Sequence, residues 1–142
     1  MLANPCAART RWAYGTVLSH AAVDHDRAVT ELRLALSINP FRQLTMRANL
    51  GQALLLAGRL EEALVELRWS AARAADYGPC HRALVIAAAE TGRMEEARAA
   101  LREVVRLTPD RTLRNIAEMW FYRDPAVIER FRAAFRAAGL PE

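Results

Sequence analysis

Apolar residues in the middle of the chain recur every three or four positions, in two successive segments. The first segment carries this stripe at Leu50, Ala53, Leu54 and Ala57, and the second carries it at Leu60, Ala63, Leu64, Leu67 and Ala71. This spacing places the apolar side chains on one face of an α-helix. Gly58 lies between the stripes, where a residue in the left-handed region can end a helix without steric cost. The pattern therefore predicts two helices joined by a short turn.

The same pattern returns 34 residues later. The equivalent positions are Gly58 and Gly92, Glu61 and Glu95, Glu62 and Glu96, Ala63 and Ala97, and Leu67 and Leu101. An earlier unit fits the same frame with one extra residue in the next joint, through Trp12, Ala28, Leu32, Ala35 and Pro40. One helix pair cannot bury its own apolar face, so neighbouring pairs must stack to make a continuous core.

The residues after the third unit no longer follow the repeat. Asp124 and Pro125 are typical of the N-cap and first residue of a helix, and Gly139 of its end, with Leu140 folding back onto Phe135. This segment therefore predicts a terminal cap. The predicted organisation is a remnant of a preceding repeat or an extension at 1–8, repeats at 9–43, 44–77 and 78–111, and capping helices at 112–142.

The opening residues, MLANP, repeat the way in which the later segments SINP and RLTP close their units. Two interpretations are open: the chain is the C-terminal part of a longer array, or Asn4-Pro5 is a turn before a short array. In the first case the helix around Trp12 lacks an N-terminal neighbour, and self-association through that bare face is expected.

The repeated unit resembles the tetratricopeptide repeat, a 34-residue helix pair with the signature W-x2-L-G-x2-Y, then A-x3-F, then P. The residues that carry the resemblance are Leu50, Gly51, Leu54, Ala63 and Leu67 in the second unit, Leu84, Ala97, Leu101 and Pro109 in the third, and Trp12, Ala28, Leu32 and Pro40 in the first. The departures are Thr16 and Val85 in place of the small glycine, Ala75 in place of the closing proline, and Val23 in place of the turn glycine. The resemblance implies an all-α, right-handed superhelical solenoid of about three helix-turn-helix repeats plus a C-terminal capping helix or helix pair.

A second resemblance concerns the closing segment, from Phe121 to Glu142. It is similar to the C-terminus of bacterial class III adenylate and guanylate cyclases that end in such repeats, and regulators with an N-terminal winged-helix domain can carry similar repeats. This similarity implies a C-terminal regulatory part of a larger signalling protein. The catalytic domain of such a protein lies upstream, so no catalytic residue is carried over.

The resemblance to tetratricopeptide repeats implies a concave groove formed by the first helix of each unit, which binds a peptide or a partner helix. Transferred position by position, its expected residues are Thr10, Ala13, Val17, His20, Thr45, Ala48, Asn49, Gln52, Leu55, Arg82, Ile86 and Ala89. Some members of the family clamp a peptide carboxylate with Lys, Arg and Asn side chains. Here only Asn49 matches, while Ala13 and Val17 stand where Lys and Asn are needed, so a shallow mixed groove is expected instead. Trp120, with its neighbours Phe121 and Tyr122, either anchors a contact there or seats the cap on the last repeat.

Charge and composition limit the classes of partner that the chain is expected to bind. All 20 basic residues are arginine, they are interleaved with 16 acidic residues, and the net charge is +4. Interleaved charges describe solvated helix faces, and the inner positions are largely apolar, so no nucleic acid is expected as a partner. The apolar runs are too short to insert into a bilayer, no signal peptide is visible, and the two distant cysteines fit a reducing compartment. These features favour a cytoplasmic location.

Candidate chemistry is sparse. His20, Asp24, His25 and Asp26 suggest a metal site, but Asp24 aligns with a helix start, which favours an N-cap and solvated turn residues. Cys80, beside His81 at a helix start, is either an activated thiol or a small apolar residue. No nucleophile motif or phosphate-binding loop is present, so we expect neither an enzyme nor a cofactor. The expected function is a protein-interaction scaffold, either within a cyclase-like signalling protein or as an autonomous adaptor that self-associates.

Overall fold

The computed structural model describes residues 5–21, 24–39, 43–120, 122 and 124–142. The described residues form seven α-helices and one short 3-10 helix, and no strand lies among them. The helices are α1 (Pro5–His20), α2 (His25–Ile38), α3 (Gln43–Leu56), α4 (Leu60–Arg73), α5 (Gly78–Glu90), α6 (Met94–Leu107), the 3-10 helix (Ile116–Met119) and α7 (Pro125–Ala138). The expected end of a preceding helix, in residues 1–4, lies outside the described residues, and α1 begins at Pro5.

The helices pack as three successive pairs, α1 with α2, α3 with α4, and α5 with α6. The backbones of the first helices also approach one another, α1 to α3 and α3 to α5, whereas the second helices meet only through long side chains, Arg33 of α2 with Glu62 of α4 and Arg68 of α4 with Glu96 of α6, both at 2.6 Å. A stack whose first helices lie closer together than its second helices curves towards the first helices. The inner face of this all-α, tetratricopeptide-like solenoid is therefore formed by α1, α3 and α5.

The turns inside the second and third pairs have the predicted glycine geometry. Gly58 and Gly92 have φ of 76° and 75°. The backbone N–H of Gly58 donates to the carbonyl of Leu55 (3.1 Å), and that of Arg59 donates to Leu54 (2.9 Å), which satisfies the last carbonyls of α3. The same two bonds recur after Gly92. In the first pair, Val23 lies outside the described residues, and Asp24 caps α2 by accepting from the backbone N–H of Arg27 at 2.9 Å.

Small residues allow the two helices of a pair to approach closely. Ala28, Ala63 and Ala97 are fully buried at equivalent positions. A Cβ added to Gly51 would lie 2.6 Å from Cγ of Leu67, closer than packed atoms allow. In the first pair this close approach occurs at Gly15, whose added Cβ would lie 2.9 Å from Cγ of Leu32. The 35-residue frame placed the counterpart of Gly51 at Thr16, one residue too late.

The C-terminal cap consists of the 3-10 helix and α7, which packs against α5 and α6. Asp124 accepts from the backbone N–H of Ala126 at 2.9 Å, and Pro125 is the first residue of α7, as predicted. Gly139 ends the helix with φ of 104°, and the N–H of Leu140 donates to the carbonyl of Phe135 at 3.0 Å. Phe135 and Leu140 are both buried, so the predicted fold-back of the last residues is confirmed.

Candidate functional site: a cavity on the inner face

The inner face brings polar side chains from three helices together. Asn49 and Gln52 are three residues apart on α3 and therefore share one side of that helix. Arg82 comes from the second turn of α5, and His20 is the last residue of α1. Because α3 contacts both α1 and α5, these side chains lie around a common space.

The chain's own C-terminal segment crosses this face at Tyr122. The amide of Gln52 donates a hydrogen bond to the phenolic oxygen of Tyr122. The Tyr122 ring stacks on His20 with centroids 5.9 Å apart and meets Phe131 edge-on at 5.6 Å. Tyr122 is only 6% exposed, and burial raises its pKa to about 12, so the phenol stays protonated near neutral pH.

Trp120 contacts the cap rather than standing free in the groove. Its ring meets Phe131 edge-on at 5.5 Å and lies 5.9 Å from the ring of Phe135. Such aromatic pairs stabilise packing beyond the area that they bury. These contacts support the interpretation that Trp120 seats the cap on the last repeat, and Phe121 lies outside the described residues.

A cavity of about 220 Å³ remains between the inner helices and the cap. Among the residues expected from the sequence to form the groove, those that line it are His20, Asn49, Gln52, Leu55, Arg82, Ile86 and Trp120. The lining is completed by Tyr77, Pro79, Ala83 and Phe131. The cavity is therefore apolar on the side of the cap, and Asn49, Gln52 and Arg82 add polar groups to the mixed lining from α3 and α5.

The other expected groove residues lie elsewhere. Thr10, Ala13 and Val17 are exposed on α1, and Val17 is 63% exposed. Ala48 is buried in the core, while Thr45 and Ala89 are half-buried and do not line the cavity. Of the expected groove residues, some therefore line the cavity, those on α1 other than His20 are exposed to solvent, and Thr45, Ala48 and Ala89 belong to neither group.

Sequence reasoning missed the lining residues Tyr77, Pro79, Ala83 and Phe131. Pro79 and Ala83 lie within one helical turn of the expected residue Arg82, so helical spacing offered a signal for these two, whereas Tyr77 directly precedes α5. Phe131 falls within the predicted capping helices, 112–142. It reaches the cavity because α7 folds against α5, and a local pattern does not report such a long-range contact.

The charges around the cavity are not balanced. Glu90, at the end of α5, is paired with Arg130 of the cap at 2.5 Å and 2.6 Å. Arg130 also donates to the carbonyl of Leu55 at 3.3 Å. Arg82 has no ion pair or hydrogen bond with any described residue, and the described residues include every Asp and Glu of the chain. The cavity therefore carries one uncompensated positive charge.

The possible metal ligand Asp24 and the possible reactive thiol of Cys80 both have structural roles. Asp24 caps α2, and no group of three or more His, Cys, Asp or Glu side chains in the described residues could hold a metal ion. Cys80 is buried and its thiol donates to the carbonyl of Tyr77 at 3.0 Å. Burial raises the pKa of Cys80 to about 11, so this thiol is not activated.

None of the helices in the described part of the chain is both long enough and apolar enough to cross a bilayer.

One family model of known proteins matches part of the chain. The family model described as Tetratricopeptide repeat matches residues 83–111, which run from the middle of α5 to just beyond α6. No curated protein and no solved structure matches the chain. The match supports the resemblance in the third unit, where Gly92 forms the turn between the two helices. The third helix pair of this all-α solenoid is therefore similar to a tetratricopeptide repeat.

Proposed function

We propose that this chain is a non-catalytic scaffold that binds a protein partner, and that an extended peptide or partner helix contacts its inner face. The observation that carries this proposal is the cavity on the face formed by α1, α3 and α5, with apolar and hydrogen-bonding groups side by side. Binding sites for peptides combine apolar pockets with a few polar groups that fix orientation. The match to the tetratricopeptide repeat supports a role in protein interactions.

The C-terminal segment limits how much of the inner face a partner can use. Tyr122 and Trp120 already cover part of it, through contacts with Gln52, His20 and Phe131. A partner therefore inserts one or two side chains into the cavity and rests on the open surface beside Tyr122. A whole helix laid along the face would have to displace this segment.

The experiment is a display screen of random peptides against the full chain, followed by measured affinities for the selected peptides. Asn49→Arg fills the cavity from α3, where Asn49 is half-buried, and should abolish binding. The matched control is Val65→Arg, which adds the same charged side chain at a position of α4 that is 60% exposed. Equal binding by both variants would contradict the use of the inner face, provided that both unfold at a similar temperature.

On the resemblance of the closing segment alone, we further propose that the repeats are the C-terminal regulatory part of a larger signalling protein such as a nucleotide cyclase. The mass of the endogenous protein, measured by intact mass spectrometry, tests this extension. A mass near 15.9 kDa would contradict it, and a much heavier chain that makes cyclic nucleotides would support it.

A second candidate function is that of an adaptor that self-associates through α1. The observation that favours it is the exposure of Tyr14 (40%) and Val17 (63%) on this helix. Light scattering over a range of concentrations tests it, with Val17→Ser as the variant that should weaken association. A monomer at all concentrations would exclude this function.

A further inference from the structure

We propose that the groove between α6 and α7, on the outer side of the solenoid, binds an amphipathic helix of another protein that carries a glutamate in its first turn. Arg102 of α6 is the group that pairs with this glutamate. The inference goes beyond the proposed function, because the groove lies outside the inner face formed by α1, α3 and α5. A partner can therefore use this surface independently of the inner-face cavity.

The first argument is an arginine that recurs at one position of the repeat. Arg33, Arg68 and Arg102 each directly follow the buried leucine that closes the A-x3-L pattern of their unit. Arg33 pairs with Glu62 of the following unit at 2.6 Å. Arg68 pairs with Glu96 of the following unit through two hydrogen bonds, of 2.6 Å and 2.7 Å. This arginine therefore joins each unit to the next one.

The third arginine of this series lacks its acceptor. Arg102 is exposed and forms no ion pair or hydrogen bond with any residue that the structure describes, and those residues include every acidic residue of the chain. By contrast, the hydrogen bond from Arg68 lowers the pKa of Glu96, which shows that the pair between the second and third units favours the charged carboxylate. The charge that would complete the series at Arg102 must come from another molecule.

The acceptors that are present occupy one place in their helices. Glu62 is the third residue of α4, and Glu96 is the third residue of α6. Both therefore lie in the first turn of a second helix, where the helix dipole favours negative charge. The missing acceptor is accordingly expected in the first turn of a helix.

The cap leaves a place for such a helix. The first helix of each later unit packs on both helices of the unit before it, and α7 packs in the same way on α5 and α6. Among the described residues no second helix packs on α7 in turn. In the complete pairs the second helix begins close to the end of the first, and Ala138, the last residue of α7, lines the groove together with Arg102. A helix that packs on α7 in this way has its first turn beside Arg102.

The lining of the groove suits an amphipathic helix. The groove has a volume of about 380 Å³, and its lining residues are Arg98, Leu101, Arg102, Val105 and Ala138. Three of these are apolar, and Val105 is 38% exposed, so an apolar stripe can cover it. Arg98 already pairs with Glu95 of its own helix at 2.6 Å. Arg102 is therefore the lining cation that remains for an acid of the partner.

The charges argue against a second copy of this chain as the occupant. A second copy that continued the stack would present α2 to Arg102. The residue of α2 equivalent to Glu62 and Glu96 is Arg27, whose charge repels Arg102. The sequence of α1 contains neither aspartate nor glutamate. Charge complementarity therefore favours a helix of another protein.

The test is a charge-swap titration of the full chain, followed by NMR at constant ionic strength. The probe is a capped peptide that copies residues 58–73, the segment in which Glu62 accepts from Arg33. A second peptide carries Glu62→Arg. The signals to follow are the methyl groups of Val105 and the backbone N–H of Arg102. The unmodified peptide should shift both signals saturably and bind at least about threefold more tightly than the Glu62→Arg peptide.

Four variants of the protein complete the test. Arg102→Glu should weaken binding of the unmodified peptide at least about threefold and strengthen binding of the Glu62→Arg peptide by a similar factor. Arg114→Glu makes the same charge change at an exposed arginine that does not line the groove, and should leave both affinities nearly unchanged. Val105→Ser should weaken binding of both peptides, whereas Val65→Ser, at a residue of α4 that is 60% exposed, should not.

Recovery of affinity when both charges are swapped would support the proposal. Equal effects of Arg102→Glu and Arg114→Glu would overturn the pairing with Arg102, and the absence of a saturable shift with either peptide would overturn the groove as a docking site. A dimer of the unmodified protein that Arg102→Glu abolishes in sedimentation would assign the groove to a second copy and contradict the proposal. If Arg102→Glu fails to fold, the comparison of Val105→Ser with Val65→Ser still decides whether the groove binds the helix.

Discussion

The amide of Gln52 donates a hydrogen bond to the phenolic oxygen of Tyr122, a residue 70 positions later in the chain. This bond joins the second repeat directly to the C-terminal segment, across the inner face. It fixes the segment that carries Trp120 and so forms one wall of the cavity. The C-terminal cap is thus part of the candidate site and also the end of the solenoid.

Removal of this bond should loosen the cap. Tyr122→Phe leaves the amide of Gln52 without its partner in a partly buried place, and should lower the free energy of unfolding by about 1–2 kcal/mol. Denaturation in urea measures the change. Tyr14→Phe, at a tyrosine that is 40% exposed, is the control and should cost less than about 0.5 kcal/mol. Equal effects of the two substitutions would contradict a stabilising role for the bond.

The raised pKa of Tyr122 predicts a dependence of stability on alkaline pH. Its pKa is about 12 in the folded chain against 10.0 for a free tyrosine, so folding favours the protonated phenol. Its contribution is complete below pH 10 and is lost as the pH rises from about 10 to about 12. The stability difference between the unmodified protein and Tyr122→Phe should therefore shrink by roughly 1 kcal/mol between pH 9 and pH 11. An unchanged difference would show that Tyr122 titrates normally.

The close approach of α3 and α4 predicts a cost for a single added methyl group. Gly51→Ala places a Cβ 2.6 Å from Cγ of Leu67 in the unrelaxed structure, and should lower the free energy of unfolding by about 1–3 kcal/mol through overpacking. Gly58→Ala is the comparison, because its Cβ would contact nothing and only the positive φ opposes it. That strain costs about 1 kcal/mol. Thermal unfolding of both variants measures the two costs, and an unaffected Gly51→Ala would show that α4 moves freely.

The two cysteines should differ strongly in reactivity. Cys6 is exposed, whereas Cys80 is buried and its pKa is raised to about 11. Because the thiolate is the reactive form, a disulfide reagent at pH 8 should modify Cys6 at least about a hundredfold faster than Cys80. Cys6→Ser isolates the reaction of Cys80, which should follow the rate of local unfolding. Rapid modification of Cys80 in the folded protein would contradict its burial.

The repeat architecture could be predicted from the sequence because each helix pair is specified locally. The recurring turn glycines and the alanines at the helix crossings, such as Gly58 and Ala63, are visible as a fixed spacing, and the structure has them in the expected roles. The one-residue error at Thr16 has a local cause as well. The 35-residue frame has one extra residue after the first unit, and the position of Gly15, 17 residues before Leu32 where Gly51 is 16 residues before Leu67, requires a second extra residue before α2.

The cavity could be predicted only in part. Its polar residues Asn49, Gln52 and Arg82 followed from the resemblance to tetratricopeptide repeats, which assigned them to the inner groove. Its enclosure by the cap did not, because that depends on Tyr122 and Phe131 reaching residues far away in the chain. No pattern within the last segment reports the direction in which it folds.

Among the described residues, the first helix pair packs on the second and the second on the third, but the first does not pack on the third, and this has a consequence for how the protein unfolds. Linear arrays whose units touch only their neighbours can lose them one at a time, from either end. Here the terminal segment contacts the first unit at His20, the second at Gln52 and the third at Glu90. Fraying of any one unit therefore disturbs the contacts that hold the other two. Because the cap contacts all three units, it couples their unfolding, and the array loses its structure cooperatively.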